Sequence, residues 1–118
     1  MGLKVTIEKK REGVYVISLA GSLDSVTCSE CEEKVQALLG PPTKALIFDM
    51  EVLDYISSIG FAVFIKAKQA LEKNNGILAV TNLKPQVKRI FDMMKIVPYS
   101  IFVSMKDVED YLEKHLIA

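Results

Sequence analysis

Ala45-Leu46-Ile47-Phe48, closed by Asp49, is apolar at every position rather than at alternate ones. The run is too short for a helix, and unbroken hydrophobicity in a strand means that both of its faces are covered. It therefore reads as the central strand of a layered sheet. Upstream, Leu3-Val5-Ile7 alternates with Lys4-Thr6-Glu8, the period of a half-buried strand. Lys9 to Gly13 is a polar turn, and the β-branched and aromatic run Val14 to Leu19 returns as the second strand of a hairpin. Ala20-Gly21-Ser22 leaves that strand, and Asp24 or Ser25 is placed to cap a helix. Cys28, Cys31, Val35, Leu38 and Leu39 then recur at helical spacing until Gly40-Pro41-Pro42 stops them.

Downstream, Met50 to Ser57 reads as a loop carrying Asp54 and Tyr55. A helix starts at Ser58 and runs through Phe61, Phe64, Ile65, Lys68 and Leu71 to Asn74. Asn75-Gly76 ends it, with Gly76 expected at positive φ. Ile77 to Val80 is a short apolar strand, and Pro85 opens a helix to Met94 with Asn82 as its upstream cap. Ile101-Phe102-Val103 forms a last strand, and Ser104 or Asp107 opens an amphipathic helix through Val108, Tyr111, Leu112, His115 and Leu116. The order β-β-α-β-α-β-α-β-α predicts an α/β fold: a mixed, mostly parallel sheet of about five strands with four helices packed on it. No linker, repeat or low-complexity segment divides residues 1–118, so a single domain is expected.

Half of the chain is apolar, enough for a core without disulfides or metal. Fifteen Lys and Arg balance fifteen Asp and Glu, which argues against a nucleic-acid partner. Lys84, Lys88, Arg89 and Lys95 have apolar residues between them and read as a solvated helix face. No apolar run reaches the roughly 20 residues that span a bilayer, and Met1 to Lys10 lacks the core of a signal peptide. A cytoplasmic protein with no membrane attachment is expected.

Enzyme chemistry finds little footing. Acyl transfer needs a nucleophile, a base and an orienting group, and the one histidine, His115, stands alone on the last helix. Neither phosphate-cradling glycine loops nor a nucleophile elbow occurs, and Asp49 and Asp54 are the only carboxylates beside the apolar centre. Cys28 and Cys31 form a C-x-x-C, but zinc wants four ligands and His115 is far off. Two small helix residues, one facing inward, is the simpler reading. No catalytic residue, metal or cofactor is expected.

Asp54-Tyr55-Ile56-Ser57-Ser58-Ile59-Gly60-Phe61 is the most informative segment outside the core. Two serines stand where a loop becomes a helix. N-capping needs only one of them. A helix N-terminus favours negative charge, so a phosphate on Ser58 would be tolerated by the helix that bears it. It would add nearly two negative charges and act on whatever docks against the loop.

These features together resemble the STAS domain family, and within it the stand-alone bacterial anti-sigma factor antagonists. Gly21-Ser22-Leu23-Asp24 is similar to the family's G-x-[LI]-D, and Ala45 to Leu53 to its apolar strand and loop. Tyr55-Ile56-Ser57-Ser58-Ile59-Gly60 resembles the [DS]-S-x-G phosphorylation loop, and Leu83 to Phe91 the stretch x-x-P-x-V-x-x-[IL]-[FL]. The resemblance implies a switch. The unphosphorylated protein binds an anti-sigma factor that is itself a serine kinase, and so frees the sigma factor. Phosphorylation of the loop serine ends binding, and a metal-dependent serine phosphatase restores it. Carried over, the acceptor is Ser58, with Ser57 the alternative because many relatives have Asp there; Ile59 replaces a small residue. The implied partner-facing residues are Asp24, Ser57, Ser58, Ile59, Gly60 and Phe61. A ligand-sensing or scaffolding role is the alternative, motivated by the apolar loop residues Met50, Val52, Leu53, Tyr55 and Ile59. The free protein is expected to be a monomer, its sheet edges guarded by loops and charges.

Overall fold

The computed structural model describes residues 2–94, 100–102 and 104–116. Its strands are β1 (Leu3–Arg11), β2 (Val14–Leu23), β3 (Ala45–Asp49), β4 (Leu53–Ile56), β5 (Ile77–Thr81) and β6 (Ser100–Phe102). Its helices are α1 (Cys28–Gln36), α2 (Ser58–Glu72), α3 (Pro85–Met94) and α4 (Met105–Leu116). The sheet runs β1-β2-β3-β5-β6, antiparallel at the first pair and parallel thereafter. β4 stands off this path. The first half of β2 pairs with β3, and its end, Gly21 to Leu23, pairs with β4.

The expected mixed, mostly parallel sheet with four helices is therefore the fold that forms. The segment Met50 to Ser57 is corrected, because it contains β4 and not only loop. α1 is shorter than its apolar spacing suggested: Leu38 and Leu39 follow its end in tight turns, donating to Val35 and Gln36 carbonyls. At the end of α2 the left-handed residue is Asn75 (φ 57°) and not Gly76; asparagine tolerates that conformation. Asn82 lies two residues short of the helix-capping position: the first bonds of α3 run from the Val87 and Lys88 N–H groups to the Lys84 carbonyl, and the Asn82 side-chain amide donates to Asp49 at 3.1 Å. Val103, expected in the last strand, and Lys95, expected on the basic face, lie outside the described residues.

Burial explains why β3 is apolar throughout. Leu46 and Phe48 join Ile17, Leu19, Leu78 and Val80 in a core covered by α1, α2 and α3. Ala45 and Ile47 face the other way, with Val14, Val16 and Ala79, under Val108 and Leu112 of α4. A ring cluster locks the larger core. Phe64 meets Phe48 edge-on at 4.8 Å, and Phe61 meets Phe91 at 4.9 Å. Such pairs add to what area burial alone supplies, and this cluster fixes where α2 begins.

The cysteines follow the simpler reading. Cys31 is buried in the core and Cys28 is half-buried one turn earlier. Burial pushes the Cys31 thiol up to about 12, so its nucleophilic thiolate is scarce at any ordinary pH. A thiol reagent at mildly alkaline pH is expected to modify Cys28 in the native protein and Cys31 only after denaturation. Equal labelling rates for both would contradict this packing.

Candidate functional site

The parallel strands β2, β4, β3 and β5 deliver their following loops to one end of the sheet, where α/β folds place their binding surfaces. Hydrogen bonds tie these loops to one another. The Ser57 N–H donates to the Leu23 carbonyl at 2.9 Å, the Gly21 N–H to Val52 at 3.0 Å, and the Met50 N–H to Thr81 at 3.0 Å. Asp24 and the Ser57-Ser58 pair, separate in sequence, thus share one surface.

Two glycines make that closeness possible. Gly21 has φ 109° and sits where β2 shifts register against β4; a Cβ on it would collide with the Gly2 carbonyl oxygen. Gly60, in the first turn of α2, lies against the backbone of Leu23, and a Cβ there would overlap the Leu23 carbonyl oxygen. The last glycine of the S-S-x-G motif is therefore a seat for the helix on β2. It is buried, as is Phe61, which belongs to the ring cluster. Of the residues expected to face a partner, these two hold the loop from beneath and do not present side chains to solvent.

Asp24 organises the adjoining turn. Its Oδ1 accepts from the Val26 N–H at 2.9 Å and the Thr27 N–H at 3.1 Å, and its carbonyl accepts from Cys28 at 2.8 Å. The bond from Thr27, then that from Val26, holds the Asp24 carboxyl below the ordinary aspartate range. The expectation that Asp24 or Ser25 caps α1 is corrected: the N-cap is Thr27, with no side-chain capping bond, and Asp24 instead closes the turn that precedes it.

The serines divide their roles. Ser57 is the N-cap of α2: its backbone is extended (φ −94°, ψ 168°) and its hydroxyl accepts from the Gly60 N–H at 3.0 Å. Ser58 is the first helical residue and is exposed. The first turn of α2 holds no acidic side chain, so the positive end of the helix dipole is unopposed there. Ser57→Ala is expected to cost about 1 kcal/mol of stability, and Ser58→Ala less than about 0.5 kcal/mol. Denaturant midpoints read this difference, and equal losses would refute the division.

Exposed apolar residues occur on the segment that leads into α2 and on the turn after β2, with exposed Glu51 and Asp54 among them. Ile59, Tyr55 and Val52 are each more than half exposed, and Val26 is 85% exposed. Met50 and Leu53, which the sequence grouped with them, are fully buried core residues. Asp54 pairs with Lys84 of α3, and Asp49 accepts from Asn82 and from the Glu51 N–H. Both central carboxylates therefore serve as loop clamps. On α3, Lys88 pairs with Asp92 at 2.9 Å, in keeping with a solvated face. His115 is exposed, its ring 4.1 Å from that of Tyr111. Among the described residues no cluster of metal-ligating side chains forms, and no helix is long and apolar enough to cross a membrane.

This geometry has known counterparts. The STAS domain family model matches residues 7–110. The chain belongs to the STAS domain family. It is similar to a putative anti-sigma factor antagonist, BtrV, of Bordetella bronchiseptica, with 29% identity over 91 residues, covering 77% of this chain and 78% of that protein. It is also similar to the anti-sigma-B factor antagonist of Staphylococcus aureus, 25% identical over 79 residues, covering 67% of this chain and 73% of that one. Among solved structures, an anti-sigma factor antagonist from Mycobacterium paratuberculosis superposes with a TM-score of 0.83 at 20% identity, covering 94% of each chain. That likeness shows that the STAS fold extends across nearly the whole sequence.

Proposed function

We propose that this STAS chain acts as a single-domain cytoplasmic anti-sigma factor antagonist, switched by phosphorylation of Ser58, and has no catalytic activity of its own. Its unphosphorylated form binds an anti-sigma factor serine kinase and so releases the sigma factor. A metal-dependent serine phosphatase resets it. The names of the relatives in Bordetella bronchiseptica and Staphylococcus aureus support the antagonist role. The observation that carries the switch is the division between the two serines. Ser57 is engaged as the helix cap, while Ser58 is exposed beside the exposed Ile59, with Val52 and Tyr55 also exposed on the segment that leads into the helix. Exposed apolar residues of this kind suit a protein partner.

A phosphoryl group on Ser58 lies at the helix N-terminus, where the dipole tolerates it. The fold need not change. Instead a docked partner must desolvate two added negative charges, which is costly without a matched cation. Asp24 shapes the rim of the same surface. A ligand-sensing role gains little support here, because Met50 and Leu53 fill the core instead of lining a cavity.

Titration of the purified chain into a preformed complex of sigma factor and anti-sigma kinase from the same genome tests the antagonist role. Release of the sigma factor, in proportion to the chain added, is expected. Complexes that all remain intact at excess chain would contradict it.

A further inference from the structure

β1 is nine residues long and ends the sheet, and among the described residues its outer edge pairs with no strand. Leu3 stands opposite Gly21, and the Ser22 N–H donates to the Gly2 carbonyl at 3.1 Å. Bonded and non-bonded pairs alternate along an antiparallel ladder. Lys4, Thr6 and Glu8 therefore turn their backbone groups toward β2, while Leu3, Val5, Ile7 and Lys9 turn theirs outward. Such an edge is a template for another strand.

The edge is complementary to itself about Thr6. A second copy laid antiparallel with that centre sets Lys4 opposite Glu8 of the other copy, twice by symmetry. Val5 then faces Ile7, and Leu3 faces Lys9, so the outward N–H and C=O groups fall on bonded pairs. Lys4 and Glu8 fall on the non-bonded pairs, where side chains lie closer. Moving the centre to Ile7 sets Lys4 against Lys10, and moving it to Val5 leaves Glu8 against Gly2. Charge thus selects one register. The apolar side agrees with it: Val5 already packs against the core under α1 to α3, and Ile7, on the same face, is 39% exposed. Pairing would extend that core across the two-fold axis. The register shift between Lys9 and Arg11 ends the available edge.

We infer that the free edge of β1 is a docking edge for a second copy of this chain, joined antiparallel through Leu3 to Lys9. The monomer expected from the sequence rested on sheet edges guarded by loops and charged side chains. Here their order attracts a like strand, and the pairing does not involve Ser58 or its phosphorylation.

Sedimentation velocity over a concentration series at low salt tests it. The wild type is expected to dimerise reversibly. Lys4→Glu and Glu8→Lys, both at exposed positions, each turn two attractive pairs repulsive and should weaken self-association about tenfold. Mixed together, the two variants restore both pairs and should associate with each other as the wild type does with itself. As a second reading, amide exchange at Val5 and Ile7 should slow with concentration while that of Thr6 stays constant. A wild type that is monomeric throughout, or variants that do not recover on mixing, would overturn the inference.

Discussion

Ser58→Asp is expected to fold as well as the wild type and to bind the anti-sigma kinase about a hundredfold more weakly, about 3 kcal/mol. The two effects separate because of where the residue lies. Ser58 is exposed at the first helical position, and the capping bond belongs to Ser57. A carboxylate at that position is favoured by the helix dipole, so stability should hold or rise slightly. At the proposed interface the same charge would be stripped of water beside exposed apolar residues such as Ile59. Ser58→Ala should bind as the unphosphorylated protein does. Calorimetric titration against the kinase, with denaturant unfolding in parallel, reads both quantities. A Ser58→Asp protein that binds normally would remove the electrostatic account of the switch.

The second large effect is structural. Gly60→Ala should destabilise the protein by about 3 kcal/mol, toward the upper end of what overpacking costs. The added methyl meets the Leu23 carbonyl, which is backbone and cannot swing aside as a flexible side chain could. Relief requires α2 to withdraw from β2, and that movement strains the Ser57–Leu23 hydrogen bond and the packing of Phe61. The helix interior would otherwise prefer alanine to glycine, so a loss of stability isolates the steric term. Unchanged stability in urea would show that the helix is not seated in this way.

Most of the fold was legible in the sequence because period and burial agree. β3 is apolar at each position because it is covered on both faces, and Leu3-Val5-Ile7 alternates because β1 has one wet face. β4 was missed for a physical reason. Leu53-Asp54-Tyr55-Ile56 is buried, exposed, exposed, buried, so it lacks the alternation by which a half-buried strand is read. Its existence depends on pairing with the end of β2, a long-range contact that local pattern does not carry. The candidate site was readable as a location, from two serines and a glycine at a helix start. The assignment of roles was not. Either serine can cap a helix, and only the backbone path through Ser57, set by its bond to Leu23, decides which one does. Likewise Phe61 and Ile59 look alike as apolar residues, yet the helix turns one into the ring cluster and the other into solvent.

The central claim is that Ser58 carries the switch. Its most direct test incubates the purified chain with ATP and each serine-kinase anti-sigma factor of the same genome, then maps the product by intact-mass and fragment spectrometry. The account predicts one added phosphate, on Ser58, with loss of the complex and no phosphate on the Ser58→Ala variant. Modification at Ser57 instead, or a complex that survives phosphorylation of Ser58, would contradict it.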